Sequence, residues 1–150
     1  MPMARYRLAI FGPLALAGCA IMPRPADPQI VLLADAIHSE AGIFFAGLAA
    51  RQAPDCAFQA NAGAYDHLGM LAGQLKNHIS GNHGSPALVQ ASEALARTIG
   101  DARASHEAAS ATAGDINGIC MAPGAIALNA DAIARASVAI GDTQKAAGEQ

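Results

Sequence analysis

Three cysteines and five histidines carry most of the chemistry open to this chain of 150 residues, and their spacing restricts it sharply. A zinc site on helices needs ligands that converge, as in His-Glu-x-x-His or in further His and acidic side chains one turn apart. His38, His67, His78, His83 and His106 contain no such pair. Asp35 and His38 stand three apart, so a helix would aim both at one ion. A di-metal bundle takes an acid-x-x-His element from each of two helices plus further carboxylates, and only this one element occurs. Surface placement is the better reading of Asp35 and His38. His78 and His83 flank a glycine-rich turn and are expected in solvent, whereas His106 falls on an apolar stripe, where a hydrogen-bonded core or boundary histidine is expected.

Nucleophilic catalysis asks for a Ser or Cys in a strained turn beside a base, as in Gly-x-Ser-x-Gly, and no such motif is present. Ser80-Gly81 and Gly84-Ser85 read as turn residues. Covalent haem would need Cys-x-x-Cys-His and a dithiol redox centre Cys-x-x-Cys, and neither occurs. Asp66-His67 and His106-Glu107 are sequence neighbours, which point apart on a helix and make poor dyads. The chain is therefore expected not to be an enzyme and to need no cofactor; metal binding remains an alternative only.

Cys19 has a different context. Arg5 and Arg7 precede an apolar run from Leu8 to Leu16, and small residues follow up to the cysteine, which is the layout of a secretory signal. Leu16-Ala17-Gly18-Cys19 resembles the lipobox of bacterial lipoproteins. That resemblance is specific only for the leader; the body resembles small envelope lipoproteins in general and no particular family. It implies a signal peptide over 1–18, cleavage between Gly18 and Cys19, diacylglycerol in thioether linkage to Cys19, and fatty acylation, such as palmitate, of the new amino terminus. One acyl chain binds a bilayer marginally at ~0.8 kcal/mol per CH₂, but two or three hold firmly. Ala20 lacks the aspartate that signals inner-membrane retention, so the resemblance leads to the outer membrane, facing the periplasm. Residues 19–27 follow as a tether, in which Pro23 and Pro25, with Pro28 just beyond, oppose helix and favour extended chain.

The elements that must position these residues are helical. Aromatics make up 4% of the chain and Trp is absent, and an abundance of Ala, Leu and Ile favours helices packed through small side chains. Removal of Arg5 and Arg7 with the leader takes the net charge from −3 to −5, a poor surface for nucleic acid. Beyond the leader the only long apolar run is Ile30 to Leu33, and no span is expected to approach the roughly 20 apolar residues of a membrane helix.

Asp27-Pro28 is a cap followed by a first-turn proline, and Ile30, Leu33, Ile37, Phe44 and Leu48 recur at helical spacing to about Arg51. After Pro54 and Asp55 a second stripe follows: Phe58, Tyr65, Leu68, Leu75 and Ile79. Gly63, Gly69 and Gly73 in that segment point to a kink or a close contact. Ser85-Pro86 opens a third helix bearing Leu88, Leu95, Ile99, Ala102 and His106, with small residues fraying its end. Pro123 opens a fourth, on which Ile126, Ile133 and Ile140 repeat every seven residues and which is expected to loosen from Gly141. Four helices with short connections predict an all-α, antiparallel up-down four-helix bundle over 28–150.

In that topology the loops holding Cys56 and Cys120 share one pole. If the chain is exported, the pair enters an oxidising compartment and a disulfide is expected; two buried thiols or a metal or redox pair are the competing readings. The bonded pole would be the one farthest from the tether. These observations together suggest a lipid-tethered structural or protein-interaction module of the cell envelope, contacting the membrane through its anchor and an envelope protein or the cell wall through its body. The second reading is a carrier of a small apolar ligand, with a pocket opening near Phe44, Phe58 or Tyr65.

Overall fold

Buried residues at helical spacing run along one face of every helix, and on α2 and α3 they alternate three and four apart. The structure is a computed structural model in which residues 26–111 and 119–148 are described. It contains α1 (Pro28–Ala50), α2 (Phe58–Gly81), α3 (Pro86–Ala111) and α4 (Pro123–Gly148). On α2 the buried series is Phe58, Asn61, Tyr65, Leu68, Ala72, Leu75 and Ile79, and on α3 it is Leu88, Ser92, Leu95, Ile99, Ala102 and His106. A mean period of 3.5 residues keeps one seam of each helix turned toward its neighbours along the whole length. Each helix packs on two others, α1 on α2 and α4, and α3 on α2 and α4, which gives a four-membered ring around one core. The predicted all-α antiparallel bundle is the observed fold. Cys19, the Gly18–Cys19 junction and the leader lie outside the described residues, as does the tether up to residue 25.

The helix ends follow from local chemistry. Asp27 caps α1 by accepting from the Gln29 backbone N–H at 3.0 Å, with Pro28 in the first turn. Ser85 Oγ accepts from Leu88 N–H at 3.3 Å at the start of α3. The C-terminus of α2 closes through Gly84 N–H donating to the Ile79 carbonyl at 2.8 Å, with His83 in the left-handed region at φ 54°. Gly84 is required at that turn, because a Cβ there would lie 2.5 Å from Ile79 Cγ2 and 2.8 Å from the Ile79 carbonyl oxygen.

Small side chains set the spacing between α1 and α4. A Cβ added at Gly141 would stand 3.8 Å from the Ala34 methyl, so the two backbones approach closely where neither residue projects far. The core they enclose is filled: Ile37, Leu75, Ile79, Leu95, Ala102 and Ile133 have no solvent-exposed surface. No buried side-chain nitrogen or oxygen among the described residues lacks a hydrogen-bond partner.

Four details depart from the sequence pattern. α2 is continuous through Gly63, Gly69 and Gly73, and a Cβ at any of them would meet nothing within 4 Å, so these glycines mediate no close contact. α4 continues to Gly148 instead of loosening from Gly141, because Ile140 and Gln144 remain on the inward seam. Phe45 is the fully buried aromatic of α1 and Phe44 packs against the core from its margin. Finally, α1 counted with its alanines and glycines has a mean hydropathy of 1.5 over an 18-residue window and is long and apolar enough to cross a membrane by length and composition. Its inward face, Ile30 to Leu48, belongs to the core, while Leu32 and Ile43 stand 63% and 72% exposed on the outward face.

Candidate functional site

The antiparallel topology gathers the polar and sulfur-bearing residues at the two poles of the bundle. At the pole where α1 and α3 end, Cys56 and Cys120 come to disulfide distance with Cα atoms 5.1 Å apart, although 64 positions separate them in sequence. Cys56 is buried and Cys120 half-buried. The segment around Cys56 is held independently of sulfur. His106 Nε2–H donates to the Cys56 carbonyl at 2.8 Å, and since a carbonyl can only accept, Nδ1 is left to accept from the Tyr65 hydroxyl at 3.1 Å. Asn61 Nδ2 donates to the Asp55 and Ala57 carbonyls at 2.8 and 2.7 Å, and Arg51 donates to Asn61 Oδ1. Ser110 Oγ accepts from Phe58 N–H at 2.8 Å and donates to the Ile119 carbonyl at 3.0 Å, tying the segment that leads into Cys120 to the start of α2.

Aromatic rings close this pole. Tyr65 stacks edge-on against Phe44 with centroids 4.9 Å apart and against His106 at 5.7 Å, and Arg103 lies over the Phe58 ring at 5.5 Å. Burial pushes the Tyr65 phenol far above its ordinary range, so it remains a neutral donor to His106. Phe45, Phe58 and Tyr65 are at most 5% exposed and packed on one another. Among the described residues these three rings are sealed in the core.

The opposite pole joins the start of α1, the end of α2, the start of α3 and the end of α4. Asp27 is its hub: Oδ1 accepts from Gln29 N–H, Oδ2 accepts from His78 Nε2 at 2.9 Å, and its own backbone N–H donates to Gln144 Oε1 at 3.2 Å. Burial by itself would raise the Asp27 pKa, but the His78 hydrogen bond, the backbone N–H groups and the His78 charge outweigh it and hold the carboxyl below its ordinary value. A pocket of about 270 Å³ opens beside this hub, with Ile30, Ile79 and Leu88 on its apolar side and Asp27, Thr143 and Gln144 among its polar residues.

The other titratable candidates do not assemble. His38 and Asp35 are both exposed; Asp35 lies 3.9 Å from Lys145. His67 pairs with Glu40 at 2.8 Å on the surface, and Arg103 bridges to Asp66. Among the described residues no three His, Cys, Asp or Glu side chains converge to hold a metal. The Asp27–His78 pair and the role of Gln144 were not read from the sequence, which marked Asp27 only as a cap and His78 as a loop residue. His78 sits instead in the last turn of α2, half-buried. Comparison with known proteins yields no matching family model, curated protein or solved structure.

Proposed function

We propose that the chain is a bacterial envelope lipoprotein, anchored through acyl groups on Cys19 and facing the periplasm from the outer membrane, whose bundle is a structural or protein-interaction module. The observation that carries this reading is the Cys56–Cys120 pair at disulfide distance. Cytosolic thiols are kept reduced, so a lone long-range pair outside any Cys-x-x-Cys motif is most useful to a chain that is exported. The lipobox-like Leu16-Ala17-Gly18-Cys19 supplies the route and the anchor. A filled core in which, among the described residues, every buried side-chain polar atom is satisfied supports a rigid body suited to holding a fixed shape at the end of a tether.

The test is metabolic labelling of cells with an alkyne palmitate analogue, combined with fractionation and electrophoretic mobility. The parent chain should incorporate label, migrate as the processed form and fractionate with outer membranes. Cys19→Ala should lose label, processing and stable membrane association together. An unlabelled parent chain, or a Cys19→Ala variant indistinguishable from it, refutes the anchor. Crosslinking in intact cells followed by mass spectrometry then identifies the envelope neighbours of the body.

A further inference from the structure

Two neighbouring helices carry a second seam that faces away from the core. On α1 the exposed residues Leu32, Asp35, Ser39, Gly42, Ala46 and Ala49 recur three and four apart, and on α4 so do Leu128, Asp131, Arg135, Val138, Asp142 and Lys145. A mean period of 3.5 residues on an outer face is the pattern of a helix that meets a further helix. The two seams lie side by side, because α1 packs on α4 and a groove joins Gly42 and Ile43 to Ala127 and Ala130. Charge divides the face into halves. Toward the disulfide pole, residues 41–50 and 123–130 contain no Asp, Glu, Lys, Arg or His. Ile43 and Leu128 are 72% and 70% exposed there, beside a groove of about 290 Å³ with Gly42, Ala46, Ala49, Pro123 and Ala127 as its exposed walls. Toward the other pole, Asp131, Arg135, Asp142 and Lys145 alternate in sign, and Arg135 pairs with Asp131 at 2.6 Å. Large apolar side chains on a charge-free surface mark a contact site.

We propose that this face binds a second copy of the chain, in parallel, about a two-fold axis along the bundle. Shape, charge and area select that occupant. A two-fold contact must be self-complementary, with knob and hole on one patch. Ile43 and Leu128 are such knobs, and they stand level with the groove, so the axis brings each copy's knobs to the other's groove. Parallel pairing also sets the charge-free half of one copy on that of the other. In the charged half it brings Arg135 of one copy within a helical turn of Asp131 on the other, and Lys145 likewise near Asp142, so opposite signs meet. A full antiparallel overlap would press Asp131 and Asp142 onto the uncharged half, where they lose water and gain no counter-charge. The 23 residues of α1 span about 35 Å and a helix pair is about 20 Å wide, which offers ~700 Å² per copy against the ~800 Å² that each partner gives to a standard interface. This choice of partner deepens the interaction-module reading and rests on it, but not on the lipid anchor.

The test places photoreactive benzoylphenylalanine at Leu128 of the full-length chain in cells, with the same group at Arg97, exposed on α3, as the control. Irradiation should give a species of twice the chain's mass from Leu128 but not from Arg97, and mass spectrometry should find only this sequence in it. Gly42→Leu fills the groove, and since a Cβ at Gly42 meets nothing within 4 Å in its own fold, the bundle should accept it. It should cut the yield by about ten-fold, as should Ile43→Asp, which carries a carboxylate into the contact. Both positions are exposed, so thermal melts by circular dichroism should show both variants folded. No doubled species from Leu128, an equal yield from Arg97, or an undiminished yield in the two folded variants overturns the proposal. A product joining Leu128 to a different protein overturns the second copy and leaves the interaction-module reading standing, whereas a product with lipid alone removes both. Palmitate labelling reads the anchor and this crosslink reads the contact, so either can fail with the other intact.

Discussion

Replacing Cys56 and Cys120 together by alanine tests the far pole quantitatively. In the chain-entropy account a crosslink stabilises by restricting the unfolded ensemble, and for the 64-residue separation seen here the expected effect is about 4 kcal/mol. Little of this should be offset by native-state collapse, because the Cys56 segment is held separately by His106 Nε2–H on its carbonyl and by the Asn61 bonds to Asp55 and Ala57. For a bundle of this size 4 kcal/mol corresponds to about 10–20 °C in Tm. Thermal melts followed by circular dichroism at 222 nm, on oxidised protein, on protein reduced with a phosphine and on the double variant, should show the two thiol-free or reduced samples falling together. The urea m-value should rise in both, since an uncrosslinked unfolded chain exposes more surface. A double variant melting within ~3 °C of the oxidised protein refutes the entropic argument. Full alkylation of both thiols in protein recovered from cells without reductant refutes the bond itself.

Three further outcomes are expected. Asp27→Asn retains a capping side chain but loses the charge facing His78, so it should cost ~0.2–1 kcal/mol at pH 7. The folded Asp27 pKa lies below the unfolded value, so this contribution is present above about pH 4 and disappears as pH falls through the folded value; urea melts at pH 7 and pH 2.5 that give the same difference would contradict it. Gly69→Ala and Gly73→Ala should each stabilise by ~0.5–1 kcal/mol, because the helix is continuous there and the added methyl meets nothing within 4 Å; a lower denaturation midpoint would reveal a contact that the fold does not contain. Gly84→Ala should destabilise by ~1–3 kcal/mol, since a backbone carbonyl 2.8 Å from the new Cβ cannot swing aside as a side chain would; an unchanged midpoint would show that the turn relaxes freely.

Much of the fold was legible because helix signals in this chain agree with one another. Asp27-Pro28, Ser85-Pro86 and Pro123 marked three helix starts, and the stripes on α2, α3 and α4 predicted buried positions from Phe58 to Ile140. His106 was readable as a hydrogen-bonded core histidine because it continues the apolar seam of α3. What escaped were features made by residues far apart in sequence. Gln144 looks like a polar tail residue until Asp27, 117 positions away, donates to it. The His78–Asp27 pair spans 51 positions and carries no local signal. The choice between Phe44 and Phe45 turned on a rotation of one helix position, which a period of 3.5 leaves ambiguous. Glycines in α2 suggested a kink on propensity alone, and tertiary packing of Tyr65, Leu68, Ala72 and Leu75 overrode it.

The position of the cysteine pair also has a mechanical side. Once bonded, Cys56 and Cys120 make α2 and α3 a covalent ring, and α1 and α4 become two arms that leave it in the same direction. Tension applied between the two chain ends travels along one arm, across the sulfurs and back down the other, so the ring carries no load. The 64 residues it spans, about 220 Å of extended chain, are withheld from stretching. A pulled molecule would therefore lengthen only by its arms and tails, with α2 and α3 outside the line of force.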